Sequence, residues 1–185
     1  ERLRHTFQYS AICQGPDGRL YCAPFNAESV LVYDTALQEF SFIASPGLAE
    51  GVQSQYSNIC MGSNRNLYCS PENSDKVLVI ETGNMKPGEE PDVEFISCAG
   101  SDKGKWLGIC SGTFASSKLF CVPYMSGRVL EIDPRPATDI ARELGGKDLE
   151  WAIEHPNEKI AKRRMSKAVV PMEGAQFLRL RATTT

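Results

Sequence analysis

Histidine is scarce: His5 and His155 are the two in 185 residues. A Ser-His-Asp or Cys-His arrangement would have to recruit one of them, and neither sits near a nucleophile motif. No glycine-rich loop leads into a helix and no Walker-type lysine follows one, so the usual phosphate cradles are missing. Apolar runs fall well short of the roughly 20 residues that a spanning helix needs. Membrane contact, if any, is therefore expected to be peripheral or through a partner. The charge is not basic either. A net charge of −3 and a pI near 5.5 give no general reason to expect nucleic acid. The first residue is Glu1, which suggests a processed or partial product. An organelle reached after loss of a targeting segment is the one compartment this brings to mind, and localisation otherwise stays open.

A unit that comes back three times is present instead. Its first copy has Tyr9, Ile12 and Cys13, then Leu20-Tyr21-Cys22-Ala23-Pro24, then Val30-Leu31-Val32-Tyr33-Asp34. The second has Tyr56, Ile59, Cys60, Leu67-Tyr68-Cys69-Ser70-Pro71 and Val77-Leu78-Val79-Ile80-Glu81, displaced by 47 residues without a gap. The third has Trp106, Ile109, Cys110, Leu119-Phe120-Cys121-Val122-Pro123 and Val129-Leu130-Glu131-Ile132-Asp133, displaced by 50 and then 52 residues. Each copy reads as four short antiparallel strands separated by Gly, Pro and Asp turns. The fourth strand falls near 39–44, 93–97 and 140–144. A period of about 40–50 residues with four strands is the signature of propeller blades. Val30 to Tyr33 is apolar on both faces, as a strand must be when its sheet is sandwiched between neighbours.

The expected fold is thus all-β: three four-stranded propeller-type blades at 9–55, 56–105 and 106–147, after a lead-in at 1–8. The tail, 148–185, reads as two short helices (147–155 and 156–167) and two strands (168–172 and 176–181). It is taken as a capping or docking segment, with a degenerate fourth blade as the alternative. It holds seven Lys/Arg against five Asp/Glu, where the remainder has thirteen against eighteen.

The pattern G-x-L-Y-C-x-P-x5-V-L-V-x-D from Gly18 to Asp34 resembles the blade repeat of lyase-like and kelch-like propellers, which are common in protist and algal proteins. Gly104-Lys105-Trp106, Lys118-Leu119-Phe120-Cys121 and Arg128 through Asp133 look similar again. The resemblance spans about residues 9–144. It implies the fold and is almost silent on activity. A closed propeller takes at least about four blades, so partner proteins, or a second copy in a homodimer, are expected to cover or complete the open edges of three.

Several constellations invite a chemical reading. A two-residue turn at Asp17-Gly18 would set Cys13 opposite Cys22 on one face, and Cys60 with Cys69 and Cys110 with Cys121 would repeat this, leaving Cys98 over. Cross-strand disulfides or a redox switch are then weighed against cysteine as a small buried hydrophobe, the plainer account. Asp34, Glu81 and Asp133 recur at one position, where they are weak candidates for a cation site and stronger ones for turn caps. Tyr9, Tyr56 and Trp106 open each copy and could line a channel or, more plainly, pack between blades. Phe25, Asn26 and Glu28, then Glu72, Asn73, Asp75 and Lys76, then Tyr124 and Arg128 form equivalent turns on one rim, read as contact surfaces. Lys162, Arg163 and Arg164 in the tail are read as a docking run. Taken together the sequence points to a non-catalytic scaffold or accessory subunit without cofactor, binding proteins within a larger assembly. The alternatives are a peripheral subunit of a membrane-bound energy-converting complex in a plastid or mitochondrion, and a propeller-fold lyase or hydrolase.

Overall fold

In the computed structural model the described residues are 7–44, 52–86, 88–98, 102–112, 117–135 and 176–181. They form twelve strands in three four-stranded sheets and no helix. The first sheet is β1 (Tyr9–Gln14), β2 (Leu20–Pro24), β3 (Ser29–Asp34) and β4 (Glu39–Ala44), each antiparallel to the last. The second is β5 (Tyr56–Met61), β6 (Leu67–Pro71), β7 (Lys76–Ile80) and β8 (Val93–Ser97), built the same way. In the third, β9 (Trp106–Ser111), β10 (Leu119–Pro123) and β11 (Arg128–Asp133) are antiparallel, and β12 (Gln176–Arg181) lies parallel to β11. The place of the third blade's fourth strand is therefore taken by a segment from the far end of the tail. The strand expected at 140–144 and the helices expected at 147–155 and 156–167 lie outside the described residues.

The hairpin turns explain why the register departs from the simplest expectation. The Gly18 amide donates to the Gly15 carbonyl at 3.1 Å and the Gly15 amide to the Arg19 carbonyl at 2.9 Å. Gly18 is left-handed, with φ 87°. This is a tight turn followed by a left-handed residue, which takes one residue more than a two-residue turn. Gln14 then pairs with Leu20, Cys13 with Tyr21 and Ile12 with Cys22. The second blade repeats it, with Arg65 left-handed in the glycine's place and Cys60 opposite Tyr68. Gly15 and Gly62 are needed for another reason. A Cβ on either would stand 2.6 and 2.7 Å from the ring of Tyr21 and Tyr68. Those rings fold under the turn, and their hydroxyls meet Asp17 Oδ2 at 2.7 Å and Asn64 Nδ2 at 2.9 Å.

The core lies between blades rather than within them. Tyr21, Ala23, Val30, Val32 and Ile43 on the forward face of the first sheet bury against Ile59, Leu67, Cys69, Leu78 and Ile80 on the back face of the second. Tyr68, Val77, Val79 and Ile96 on the forward face of the second meet Ile109, Leu119, Cys121, Leu130 and Ile132 on the back of the third. The innermost strands β1, β5 and β9 stand side by side, as blades around an axis do. Tyr56 and Trp106 are buried in these two seams, so the recurring aromatic packs between blades.

Polar clamps fix each junction. Residues 7, 54 and 104, which lead into the three blades, share a left-handed backbone with φ of 61°, 55° and 63°. The amide of Ser54 donates to Asn26 Oδ1 at 2.8 Å, and that of Gly104 to Asn73 Oδ1 at 2.7 Å. The same asparagines donate from Nδ2 to the carbonyls of Phe7 and Gln53. On the inner strands Ser10 Oγ donates to the Tyr56 carbonyl and Ser57 Oγ to the Trp106 carbonyl, both at 2.8 Å. Replacing Asn73 by alanine leaves the Gly104 amide and the Gln53 carbonyl without their partner. We expect Asn73→Ala to lower stability by about 1–3 kcal/mol, read as an earlier urea midpoint at unchanged slope. An unchanged midpoint would contradict the clamp.

Candidate interaction surfaces

The rim turns named from the sequence do share one edge, but much of their polar capacity is spent inside the molecule. Asn26 and Asn73 are the clamps just described. The Phe25 and Glu72 carbonyls accept the amides of Gln55 and Lys105 at 2.8 and 2.9 Å. The Asp75 carbonyl accepts the Cys98 amide at 2.9 Å, and Lys76 Nζ stands 5.7 Å over the Phe95 ring. Glu28, Asp75, Tyr124 and Arg128 are the exposed members of the set. Lys162, Arg163 and Arg164 lie outside the described residues.

The cysteines do not pair within hairpins. Because Cys13 faces Tyr21 and Cys22 faces Ile12, the two thiols of a hairpin project from opposite sides of the sheet. The same holds for Cys60 with Cys69 and for Cys110 with Cys121, so the expected matched pairs are corrected by the one extra turn residue. All seven are free. Burial pushes the thiols of Cys13, Cys22, Cys60 and Cys69 upward, that of Cys121 well above its ordinary value, and that of Cys98 up to about 12. These six are protonated at neutral pH and poor nucleophiles. Cys110 is exposed.

Asp34, Glu81 and Asp133 do not converge. They close the third strand of separate sheets, two strands out from the innermost ones. Asp34 Oδ1 accepts the amides of Ala36 and Leu37 at 2.8 and 2.9 Å, a turn cap. Asp133 takes Arg135 Nη2 at 2.8 Å. Burial alone would raise its pKa, but the Arg135 hydrogen bonds outweigh it and hold the carboxyl below the usual range. Burial raises that of Glu81, with Asp92 adding to it. Among the described residues no group of three or more His, Cys, Asp or Glu is placed to hold a metal ion.

What sequence reasoning missed is the two outermost sheet faces. The back face of the first blade carries Ile12, Leu31, Tyr33, Phe40 and Phe42, with the Tyr33 and Phe40 rings 4.7 Å apart. By register these are the counterparts of Ile59, Leu78, Ile80, Val93 and Phe95, which lie against the first blade. Among the described residues no sheet lies over them: Ile12 is 58% exposed, Phe40 65% and Phe42 64%. The forward face of the third blade carries Cys110, Phe120, Val122 and Val129 where the other blades have Cys13 and Cys60, Tyr21 and Tyr68, Ala23 and Ser70, and Val30 and Val77. At the place of Val32 and Val79 stands Glu131, paired at 2.7 Å with Lys118. Comparing the copies for positions that stay apolar while losing a neighbour would have pointed to these faces.

Comparison with known proteins supports the architecture. No family model matches the chain, and no curated protein matches it in sequence. Eight solved chains match in structure. Virginiamycin B lyase from Staphylococcus aureus superposes with a TM-score of 0.51 at 11% identity, over 70% of this chain and 39% of the lyase. A catalytically inactive variant of that lyase with quinupristin gives 0.50 at 12% identity, over 70% and 40%. An auxiliary nutrient binding protein from Bacteroides thetaiotaomicron covers 67% of this chain and 33% of its own, with a TM-score of 0.43 at 16% identity. The fold is propeller-like. The chain spans about two-fifths of the length of the lyase it resembles, and at such identity the likeness is one of fold.

With every thiol free, alkylation in denaturant without reductant should add seven labels per chain. Under native conditions Cys110 should react first, and Cys69 and Cys121 only on unfolding. A chain that takes up one label until reductant is added would reinstate the three disulfides.

Proposed function

We propose that this chain is a non-catalytic scaffold that binds protein through the outer faces of its blade stack. The observation that carries this reading is the uncovered face of Ile12, Leu31, Phe40 and Phe42. The positions of Ile12 and Leu31 are buried in the next two blades, as Ile59 and Leu78 and as Ile109 and Leu130, and those of Phe40 and Phe42 are half-buried in the second as Val93 and Phe95, so the residues are those of a packed seam left open. Burying such side chains is worth about 1.5–3 kcal/mol each. A contiguous apolar patch of this kind on a soluble protein is the mark of an interaction site. A strand-bearing protein surface suits it better than a small molecule, because the face is a broad pleated sheet rather than a concavity. Of the exposed rim residues, Glu28 belongs to this first blade and supplies it with a polar margin, in the way charged groups edge an apolar interface.

The reading predicts that the protein isolated gently from its source is held in a complex rather than as a free 20.4 kDa chain. Introducing Phe40→Asp together with Phe42→Asp should release it while leaving the β-type circular dichroism in place. Wild-type protein that runs as a free monomer at every concentration, or a double variant that stays bound, would contradict it.

A further inference from the structure

The third sheet is finished differently from the other two. β4 and β8 come next in sequence after their neighbours and run antiparallel to them, whereas β12 is separated from β11 by residues 134–175 and runs parallel to it. A parallel neighbour cannot come through a hairpin, so this strand reaches its place as a separate segment. We infer that the outer edge of β11 is a strand-binding site that takes, in parallel, an extended peptide alternating aliphatic residues with arginines, its register read by Glu131 and Asp133, and that the tail strand is a displaceable occupant of it. The site is a sheet edge on the third blade and is independent of the open face of the first.

The register carries this. Leu178 stands level with Leu130 and Leu180 with Ile132, the two β11 residues that pack against the second blade. Arg179 stands level with Glu131 and Arg181 with Asp133, at the positions of the opposite face. A slip of one residue would set Arg179 level with Leu130 or Ile132, so burial and charge select the same alignment. The other two sheets lack this complementarity. In place of Glu131 they have Val32 and Val79, whose outer partners are Ser41 and Glu94. In place of Asp133 the first sheet has Asp34, level with Glu39, two like charges. A carboxylate thus replaces valine in the one sheet whose outer strand has arginine at that level. Both carboxylates are held by their own blade. Lys118 Nζ donates to Glu131 Oε1 at 2.7 Å, and Arg135 donates to Asp133 from Nε at 3.0 Å and from Nη2 at 2.8 Å. Lys118 and Glu131 make further interactions besides. A carboxylate has about four lone-pair positions, so one cation does not exhaust it. The backbone ladder then supplies affinity for any extended segment, and the alternation of leucine with arginine supplies the choice, as in strand addition to sheet edges generally.

The test is hydrogen exchange read by mass spectrometry on the full chain. The probe is a heavy-isotope synthetic peptide of residues 174–183, and emission of Trp106, buried between the second and third blades, reports whether the third blade keeps its place. In wild type the amides of 128–133 and 176–181 should be protected together. Arg179→Glu with Arg181→Glu should speed exchange in both segments by about tenfold or more, and the added peptide should restore protection to 128–133 alone. A peptide carrying the same two glutamates should restore nothing. Unchanged protection in the double variant overturns the reading of register by charge, and an unprotected edge that the arginine peptide fails to cover overturns the site. If the double variant loses the buried emission of Trp106, excess arginine peptide on wild type decides instead. It should speed exchange of the chain's own 176–181 while 128–133 stays protected, and an unaltered 176–181 overturns the displacement.

Discussion

Face-to-face burial between successive sheets is the interaction on which the rest of this molecule depends. None of the three sheets has a core of its own. Val30 and Val32, Leu78 and Ile80, and Leu130 and Ile132 leave water only because a neighbouring sheet lies over them. A single four-stranded sheet would expose one such row on each side, so stability is shared between repeats. The clamps follow from that constraint. Asn26 and Asn73 hold the chain where it crosses from one blade to the next, and the left-handed residues at 54 and 104 aim their amides at them. The same burial silences the chemistry, since it holds Cys69 and Cys121 as protonated, inaccessible thiols.

An arrangement built on stacking has no natural end. Whatever blade comes first shows a back face and whatever comes last shows a forward face. In the first blade nothing has been done to make that face polar: Ile12, Leu31 and Phe42 keep the apolar character of Ile59, Leu78 and Phe95. In the third blade the forward face has been altered, by Glu131 with its Lys118 partner and by Leu107 and Met125 in place of the clamps. One end therefore repeats the internal seam and the other carries a modified version of it. On the proposed reading, binding and architecture are the same physical problem, which is how the apolar row on the first blade's back face is removed from water.

Much of the architecture could be read from the residues because it is periodic. The 47-residue displacement aligns Tyr-x-x-Ile-Cys, Leu-Tyr-Cys and Val-Leu-Val without a gap, and two-sided apolar strands imply covered sheets. The register could not be read so far. Pro16-Asp17-Gly18 suits a two-residue turn as well as a turn followed by a left-handed residue, and that one-residue difference puts the two cysteines of a hairpin on opposite faces instead of one. The pairing of β12 with β11 was beyond reach, because strand propensity in Gln176 to Arg181 says nothing of which edge it will join. Asn26 and Asn73 were noticed as rim residues but taken for outward contacts. Their recurrence beside the variable Phe25 and Glu72 was the available sign of an internal role, since a contact surface has no reason to keep one amide while its neighbours change.

The central claim is that the first blade's back face is a seam awaiting a neighbour. Hydroxyl-radical footprinting read by mass spectrometry tests it most directly, by comparing Phe42 with its half-buried counterpart Phe95 in the natively isolated protein and again after dissociation. The account predicts that Phe42 is protected to the same degree as Phe95 in the native assembly and becomes reactive when the assembly is taken apart. Reactivity of Phe42 that is high and equal in both states would contradict it.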